Sequence, residues 1–198
     1  MVTEVFFRMK ATGIVRRIDE LGRVVIPKEI RRTLRIREGD ALEVYTDSDG
    51  GVILKKYSPI GELGDFAKEY AESLHQSVGY TTLICDKDYV IAVSGVRKST
   101  HGSSIAVDKA IHPALEKLMT AREKVNVSKL NGDDMYPIMA SDENNEAYSA
   151  ELIIPILASG DAIGAVILLS KDDGVVFGQT EVKVAETAAS FMGKQLEN

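Results

Sequence analysis

The feature that most constrains the fold is a short basic N-terminal segment, which ends where Ser58-Pro59 begins a new helical pattern. The first 57 residues contain 12 basic and 9 acidic residues, whereas the rest of the chain is acidic. A core of this size is marginal without a disulfide or a metal, and the single cysteine, Cys85, excludes an intrachain disulfide. We therefore predict that the segment folds as an obligate, intertwined dimer.

Turn residues divide this segment into short elements. Gly22 can adopt a positive φ in a turn, and Pro27 is suited to the start of a helix because its missing N–H is not needed there. Asp47 to Gly51 is a strong hairpin signal between two β-branched runs. The predicted elements are a strand at 12–18, a turn at 19–22, a strand at 23–26, a helix at 28–34, and hairpin strands at 41–46 and 52–56.

The acidic remainder begins and ends with a helical pattern. Ser58 is a predicted N-cap with Pro59 at the first helical position, and Gly79 ends this helix. Apolar residues recur at intervals of three and four over 60–77 and again over 179–196. Two explanations stay open: the helices form a bundle between subunits, or they pack on the sheet of their own domain. The two apolar series are Ile60, Leu63, Ala67, Tyr70, Leu74 and Val182, Ala185, Ala189, Met192, Leu196.

The segment between these helices predicts an antiparallel sheet flanked by helices, an α+β arrangement. The clearest element is a hairpin of two apolar strands around Ser159-Gly160. The predicted elements are strands at 81–85, 89–94 and 125–130, a helix at 103–120 that Pro113 would split, a loop at 131–145, and hairpin strands at 151–157 and 162–169.

No catalytic, metal-binding or cofactor-binding residue is identified. The three histidines lack the spacing of metal ligands, and Cys85 lies in an apolar strand with no basic neighbour to lower its pKa. Phosphate-binding loops and nucleophile motifs are absent. The longest apolar run, Ala162–Leu169, is shorter than the roughly 20 residues that cross a bilayer. These features predict a non-enzymatic cytoplasmic protein.

The basic segment has the residues that duplex DNA recognition requires, cations for phosphates and planar donors for base edges. Tyr45 and Tyr57 are its only aromatic residues after position 8, which disfavours single-stranded partners that stack on aromatic rings. Two alternatives are a solvated mixed-charge surface and ion pairs with the segment's own acidic residues, Asp19, Glu20, Glu29 and Glu38. The predicted DNA-binding residues lie on three consecutive elements: Arg16, Arg23, Arg31 and Arg32.

Residues Gly13 to Leu34, GIVRRIDELGRVVIPKEIRRTL, resemble the AbrB family of bacterial transition-state and sporulation regulators. The resemblance implies two chains that interleave their hairpins into one barrel-like dimer, with arginines at the positions of Arg16, Arg23, Arg31 and Arg32 on operator DNA. Lys10, Arg17 and Lys28 rank as supporting phosphate contacts. The family usually begins near Met9, so residues 1–8 are interpreted as an upstream start or an appended segment.

The C-terminal part resembles GAF domains, most clearly over Glu151–Lys171, and lacks the NKFDE pattern of cyclic-nucleotide GAF domains. We expect an AbrB-like, β-rich swapped-hairpin domain at 9–57 and an α+β GAF-like regulatory domain with flanking helices at 58–198. The expected function is regulation of sporulation genes on the bacterial nucleoid, by activation or repression. The resemblance also implies a homotetramer through helices 60–77 and 179–196, and an unidentified small-molecule ligand. The alternative is an antitoxin-like protein-binding module.

Overall fold

The computed structural model describes residues 12–96, 105–141 and 148–197. Predictions for Lys10, residues 1–8, His101 and the start of the 103–120 helix lie outside the described residues. The chain divides into two compact units, residues 1–40 and 41–198, which are described separately below.

The first unit contains the predicted turn and helix but not the predicted strands. Gly22 N–H donates to the Asp19 carbonyl at 3.0 Å, and Gly22 has a φ of +75°. Helix α1 spans Lys28–Thr33. Residues 12–18 and 23–26 carry no strand ladder within the described chain. The strands predicted at 12–18 and 23–26 do not form among the described residues of one chain, since a strand needs a hydrogen-bonded neighbour and the described bond across this turn is Asp19 N–H to the Arg23 carbonyl.

The second unit begins with the predicted hairpin. Strands β1, Leu42–Thr46, and β2, Val52–Lys56, pair antiparallel with Leu42 opposite Lys56. Asp47 closes the turn, since its Oδ1 accepts from Gly51 N–H at 2.6 Å. This confirms the hairpin prediction.

The predicted first long helix is two helices separated at Leu63: α2, Pro59–Glu62, and α3, Gly64–Val78. Ser58 Oγ accepts from Gly61 N–H at 3.0 Å, and Gly79 ends α3 with a φ of +77°. The remaining elements are β3 Thr81–Asp86, β4 Val90–Ser94, α4 Pro113–Ala121, β5 Val125–Ser128, a 3₁₀ turn Lys129–Asn131, β6 Ala150–Ala158, β7 Asp161–Ser170 and α5 Gln179–Gln195.

Five of the described strands form one antiparallel sheet in the order β4-β3-β7-β6-β5. Alternate residues of each strand point to opposite faces, and apolar side chains are buried on both. Helices α2, α3 and α5 cover one face. The other face is covered by α4 and by a layer that we call the roof, residues 105–112 and 136–140.

The roof replaces the described first part of the predicted helix at 103–120, and the helix begins at Pro113. His112 is extended, with a ψ of 143°, as expected for a residue that precedes proline, and its side chain accepts from Ala114 N–H at 3.1 Å. Upstream, Ala110 and Ile111 form isolated bridges with Tyr89 and Met139. The helix predicted from the spacing of apolar residues does not form over 105–112, because backbone groups of this stretch bond to residues 88–90 and 138–140.

The two apolar helix series pack on the domain's own sheet. Ile60, Ala67 and Leu74 belong to the same core cluster as Ala185 and Met192, together with residues of the sheet. Of the two explanations, packing of each helix on the sheet of its own domain fits these residues. Among the described helices, none has both the length and the apolarity needed to span a membrane.

Candidate nucleic-acid interface

Helix α1 presents two arginines at consecutive positions. Its end is closed by a two-bond cap: Ile36 N–H donates to the Arg31 carbonyl at 2.7 Å and Arg35 N–H to the Arg32 carbonyl at 3.3 Å, with Arg35 at a φ of +53°. Both Arg31 and Arg32 are exposed, and neither forms an ion pair with any residue in the described ranges. Because consecutive helix positions are about 100° apart, the two guanidinium groups face different directions.

Arg23 lies one residue after the turn and is held by Asp19. The Asp19 carboxylate accepts from Arg23 Nε at 2.8 Å and from Arg23 backbone N–H at 2.8 Å. These bonds, the backbone one first, lower the pKa of Asp19. The alternative of pairing with an acidic residue of the segment therefore holds for Arg23. Only its Nε–H is engaged by this side-chain bond, so the Asp19 carboxylate leaves the Nη donors of Arg23 for other acceptors.

Arg16 lies on the extended segment before the turn and is exposed. Its Nη1 donates to the Val15 carbonyl at 3.2 Å, and it has no ion pair within the described residues. Arg17 and Lys28 are exposed as well. Within one chain, Arg31 and Arg32 are consecutive residues of α1, while the turn joins the Arg16 and Arg23 segments.

Sequence reasoning treated Asp19 as a turn residue and a competitor for arginine, and missed its positioning role. Its carboxylate also accepts from Leu21 N–H at 3.0 Å, so one side chain orders both the turn and the Arg23 guanidinium. The available signal was an Asp at the first position of a turn that is followed four residues later by Arg.

The C-terminal unit has a cavity of about 360 Å³ beside the ends of β4 and β7. His75, Tyr148 and Lys171 line it, and Lys171 Nζ lies 5.2 Å from the centre of the Tyr148 ring. The volume falls in the range of small-molecule sites, roughly 300–1,000 Å³. Among the described residues, no group of three or more His, Cys, Asp or Glu side chains is arranged to hold a metal ion.

Three carboxylates that are buried among the described residues of this unit were not predicted. Asp86 and Asp88 are at the β3–β4 turn, and Glu151 is fully buried on the roof side of β6. Glu151 Oε2 accepts from Tyr136 N–H at 2.7 Å and so fixes the roof to the sheet. For Glu151, the signal was a charged residue within an otherwise apolar strand.

Two family models cover most of the chain. The model "Stage V sporulation protein T C-terminal, transcription factor" matches residues 62–197. A model of the antidote-toxin recognition protein MazE, a bacterial antitoxin, matches residues 15–62.

Two curated proteins of Bacillus subtilis strain 168 share extensive sequence with the chain. Stage V sporulation protein T is 54% identical over 189 residues, which cover 96% of this chain and 99% of that protein. Transition state regulatory protein AbrB is 71% identical over 51 residues, which cover 26% of this chain and 52% of that protein.

A solved GAF domain has the same fold as the C-terminal part. The blue-light absorbing form of the Thermosynechococcus elongatus PixJ GAF domain aligns with a TM-score of 0.54 and 13% identity, over 72% of this chain and 89% of that chain. The expectation of an AbrB-like N-terminal domain followed by an α+β GAF-like domain is confirmed by these matches. With a family model over residues 62–197 and a full-length relative at 54% identity, the chain belongs to the stage V sporulation protein T family.

Proposed function

We propose that this chain is a transcription regulator of sporulation genes that binds double-stranded DNA through Arg16, Arg23, Arg31 and Arg32. The main support is its membership of a transcription-factor family combined with an exposed, arginine-rich N-terminal segment. Arg17, Lys28 and Lys10 would add phosphate contacts. DNA binding would also place the protein on the nucleoid, in the cytoplasm, and the proposed role requires no catalysis.

The proposed DNA-binding unit is an intertwined dimer of residues 9–57. In one chain the apolar side chains of the first extended segment and of the turn are strongly exposed: Val15 by 83%, Ile18 by 70% and Leu21 by 74%. Burying one such side chain contributes about 1.5–3 kcal/mol. A second copy that inserts its own 12–26 segment would bury this surface and would supply the missing strand neighbours.

A dimer presents each arginine twice, so one duplex can be contacted at successive grooves. Asp19 would hold each Arg23 guanidinium in place before DNA arrives, which reduces the entropy lost on binding. Arg31 and Arg32 would differ in role, since their side chains diverge around α1. One is expected to reach base edges while the other contacts phosphates.

The C-terminal domain is proposed to join two dimers into a tetramer through the outer surface of α3 and α5. The fully buried members of the two apolar series face the sheet, so the contact must use partly buried residues of the same helices. Phe66, Tyr70 and Phe191 form an aromatic cluster with ring centres 5.5–5.9 Å apart, and Phe191 is 41% exposed.

Small-molecule sensing by the same domain is supported by its GAF-like fold and by the cavity beside His75.

The tetramer is tested by sedimentation velocity of the full chain. Phe191→Asp is expected to shift the tetramer to dimers, because a carboxylate in an aromatic contact is desolvated without a partner. Thr120→Asp, which adds the same charge at an exposed site on α4, should remain a tetramer. A tetramer that survives Phe191→Asp would contradict this interface.

An antitoxin-like, protein-binding role is the second candidate, favoured by the match of the MazE model to residues 15–62. The regulatory domain at 62–197 is unnecessary for such a role. Affinity for duplex DNA of random sequence separates the two functions.

The test is a fluorescence anisotropy titration of the full chain against labelled duplex and single-stranded DNA. We expect tighter binding to the duplex and a steep loss of affinity as salt is raised. For an arginine that reads a base, substitution by Ala should cost about 1–3 kcal/mol and relax the sequence preference at one position. Equal affinity for single strands, or no binding to duplex DNA, would refute the proposal.

A further inference from the structure

The last residue of β2 forms an ion pair that is withdrawn from water. Lys56 Nζ contacts Asp88 Oδ2, and the side chains of Lys56 and Asp88 are only 20% and 4% exposed. The pair of Lys124 and Glu186, in contrast, lies at the surface with side-chain exposures of 60% and 25%. Removal of one partner from a buried pair leaves an uncompensated charge, so separation of the two groups is costly.

The Asp88 carboxylate has a fixed position because the turn that carries it is fixed. Asp86 Oδ1 accepts from the N–H groups of Asp88 and Tyr89, both at 2.7 Å. Asp86 N–H in turn donates to the Tyr89 carbonyl at 3.0 Å. Displacement of this turn therefore displaces the carboxylate that binds Lys56.

The same turn is hydrogen-bonded to the roof. Ile111 N–H donates to the Asp88 carbonyl at 2.9 Å, and Val90 N–H donates to the Lys109 carbonyl at 2.9 Å. The two parts of the roof are bonded to each other, since Ala140 N–H donates to the Ala110 carbonyl at 2.9 Å. A continuous set of direct bonds thus joins β2, the β3–β4 turn and the roof.

We propose that the Lys56–Asp88 pair is a latch that couples the position of the roof to the β1–β2 hairpin. This inference rests on the proposed function, in which residues 9–57 bind DNA and the GAF-like domain senses a small molecule. A shift of the roof would move Ile111, then Asp88, and then the end of β2. The latch lies at the proposed boundary between the two domains, between the last strand of one and the sheet of the other.

The test is amide hydrogen exchange of the full chain without DNA. Ile111→Val removes one methylene from the roof and should speed exchange of amides at 108–112 by about 3- to 10-fold, the factor that such a truncation typically gives. With the latch intact, amides of β2 should respond in the same direction. The double variant Lys56→Met/Asp88→Asn removes both charges, so neither is left without its partner. In that background, Ile111→Val should speed amide exchange at 108–112 and leave exchange in β2 unchanged.

The control background is Lys124→Met/Glu186→Gln, which removes the surface pair and should leave the response of β2 intact. The proposal is overturned if Ile111→Val changes amide exchange in β2 equally with and without the Lys56–Asp88 pair. It is also overturned if Ile111→Val leaves exchange in β2 unchanged in both backgrounds. Because exchange is measured without DNA, that result leaves the proposed function standing. Loss of duplex binding by the unmodified chain would remove the proposed function without touching the latch.

Discussion

Helix α5 approaches strand β6 so closely that glycine is required where they meet. A Cβ at Gly193 would lie 2.0 Å from the Leu157 carbonyl oxygen and 3.0 Å from its carbon. These are backbone atoms and cannot rotate away. Overpacking costs typically about 1–3 kcal/mol, and we expect the upper part of this range because helix and sheet must separate. Gly→Ala in a helix otherwise gains about 1 kcal/mol, so Gly193→Ala should destabilise by about 1–2 kcal/mol.

The assay is scanning calorimetry of the full chain. For a chain of this size, about 1 kcal/mol corresponds to roughly 2–4 °C, so Gly193→Ala should lower the melting temperature by about 2–8 °C. Gly64→Ala is the matched control, because Gly64 is helical and a Cβ there would have no neighbour within 4 Å. We expect its melting temperature to stay the same or rise. A rise for Gly193→Ala would refute the close approach of α5 to β6.

Three further outcomes follow from the C-terminal unit. Burial raises the pKa of Cys85 to about 12, so the folded chain should resist iodoacetamide at pH 8 and react only after denaturation. Hydrogen bonds from two lysine side chains lower the pKa of Glu186 to about 2. The chain should therefore have a larger free energy of unfolding than Glu186→Gln. In urea melts this difference should be complete above pH 5 and should shrink as the pH falls towards 2. Ser128 Oγ donates to the Val175 carbonyl at 2.6 Å in a buried site, so Ser128→Ala should lower the free energy of unfolding by about 1–3 kcal/mol, whereas the exposed Ser77→Ala should change it by less than about 0.5 kcal/mol.

Local signals were sufficient wherever an element is completed by its own neighbours. The Ser58 cap, the end of α3 at Gly79 and the hairpin around Asp47 to Gly51 each depend on bonds within a few residues. Strands β6 and β7 also followed from their apolar runs and the turn between them, with Ser159 at a φ of +48° and Gly160 at +86°.

The remaining elements depend on distant partners that the local sequence does not specify. The 105–112 stretch has apolar residues at helical spacing, but its N–H and carbonyl groups bond to residues 88–90 and 138–140. Residues 12–26 have strand-forming side chains and no ladder with any other described residue. The ion pair of Lys56 and Asp88 joins residues 32 positions apart, which charge counting cannot reveal.

The central claim is that the N-terminal arginines bind the DNA duplex, and its most direct test is salt-dependent anisotropy with a duplex of about 30 base pairs, long enough for successive grooves. Alanine at Arg16, Arg23, Arg31 and Arg32 should weaken binding by about 100-fold or more and reduce the salt slope by about one unit for each phosphate that the protein no longer neutralises. A charge-matched control carries alanine at four exposed lysines of the second unit, Lys68, Lys87, Lys109 and Lys117. We predict that the control keeps the affinity and slope of the unmodified chain. An equal weakening in the two variants would mean that net charge, and not this set of arginines, holds the DNA.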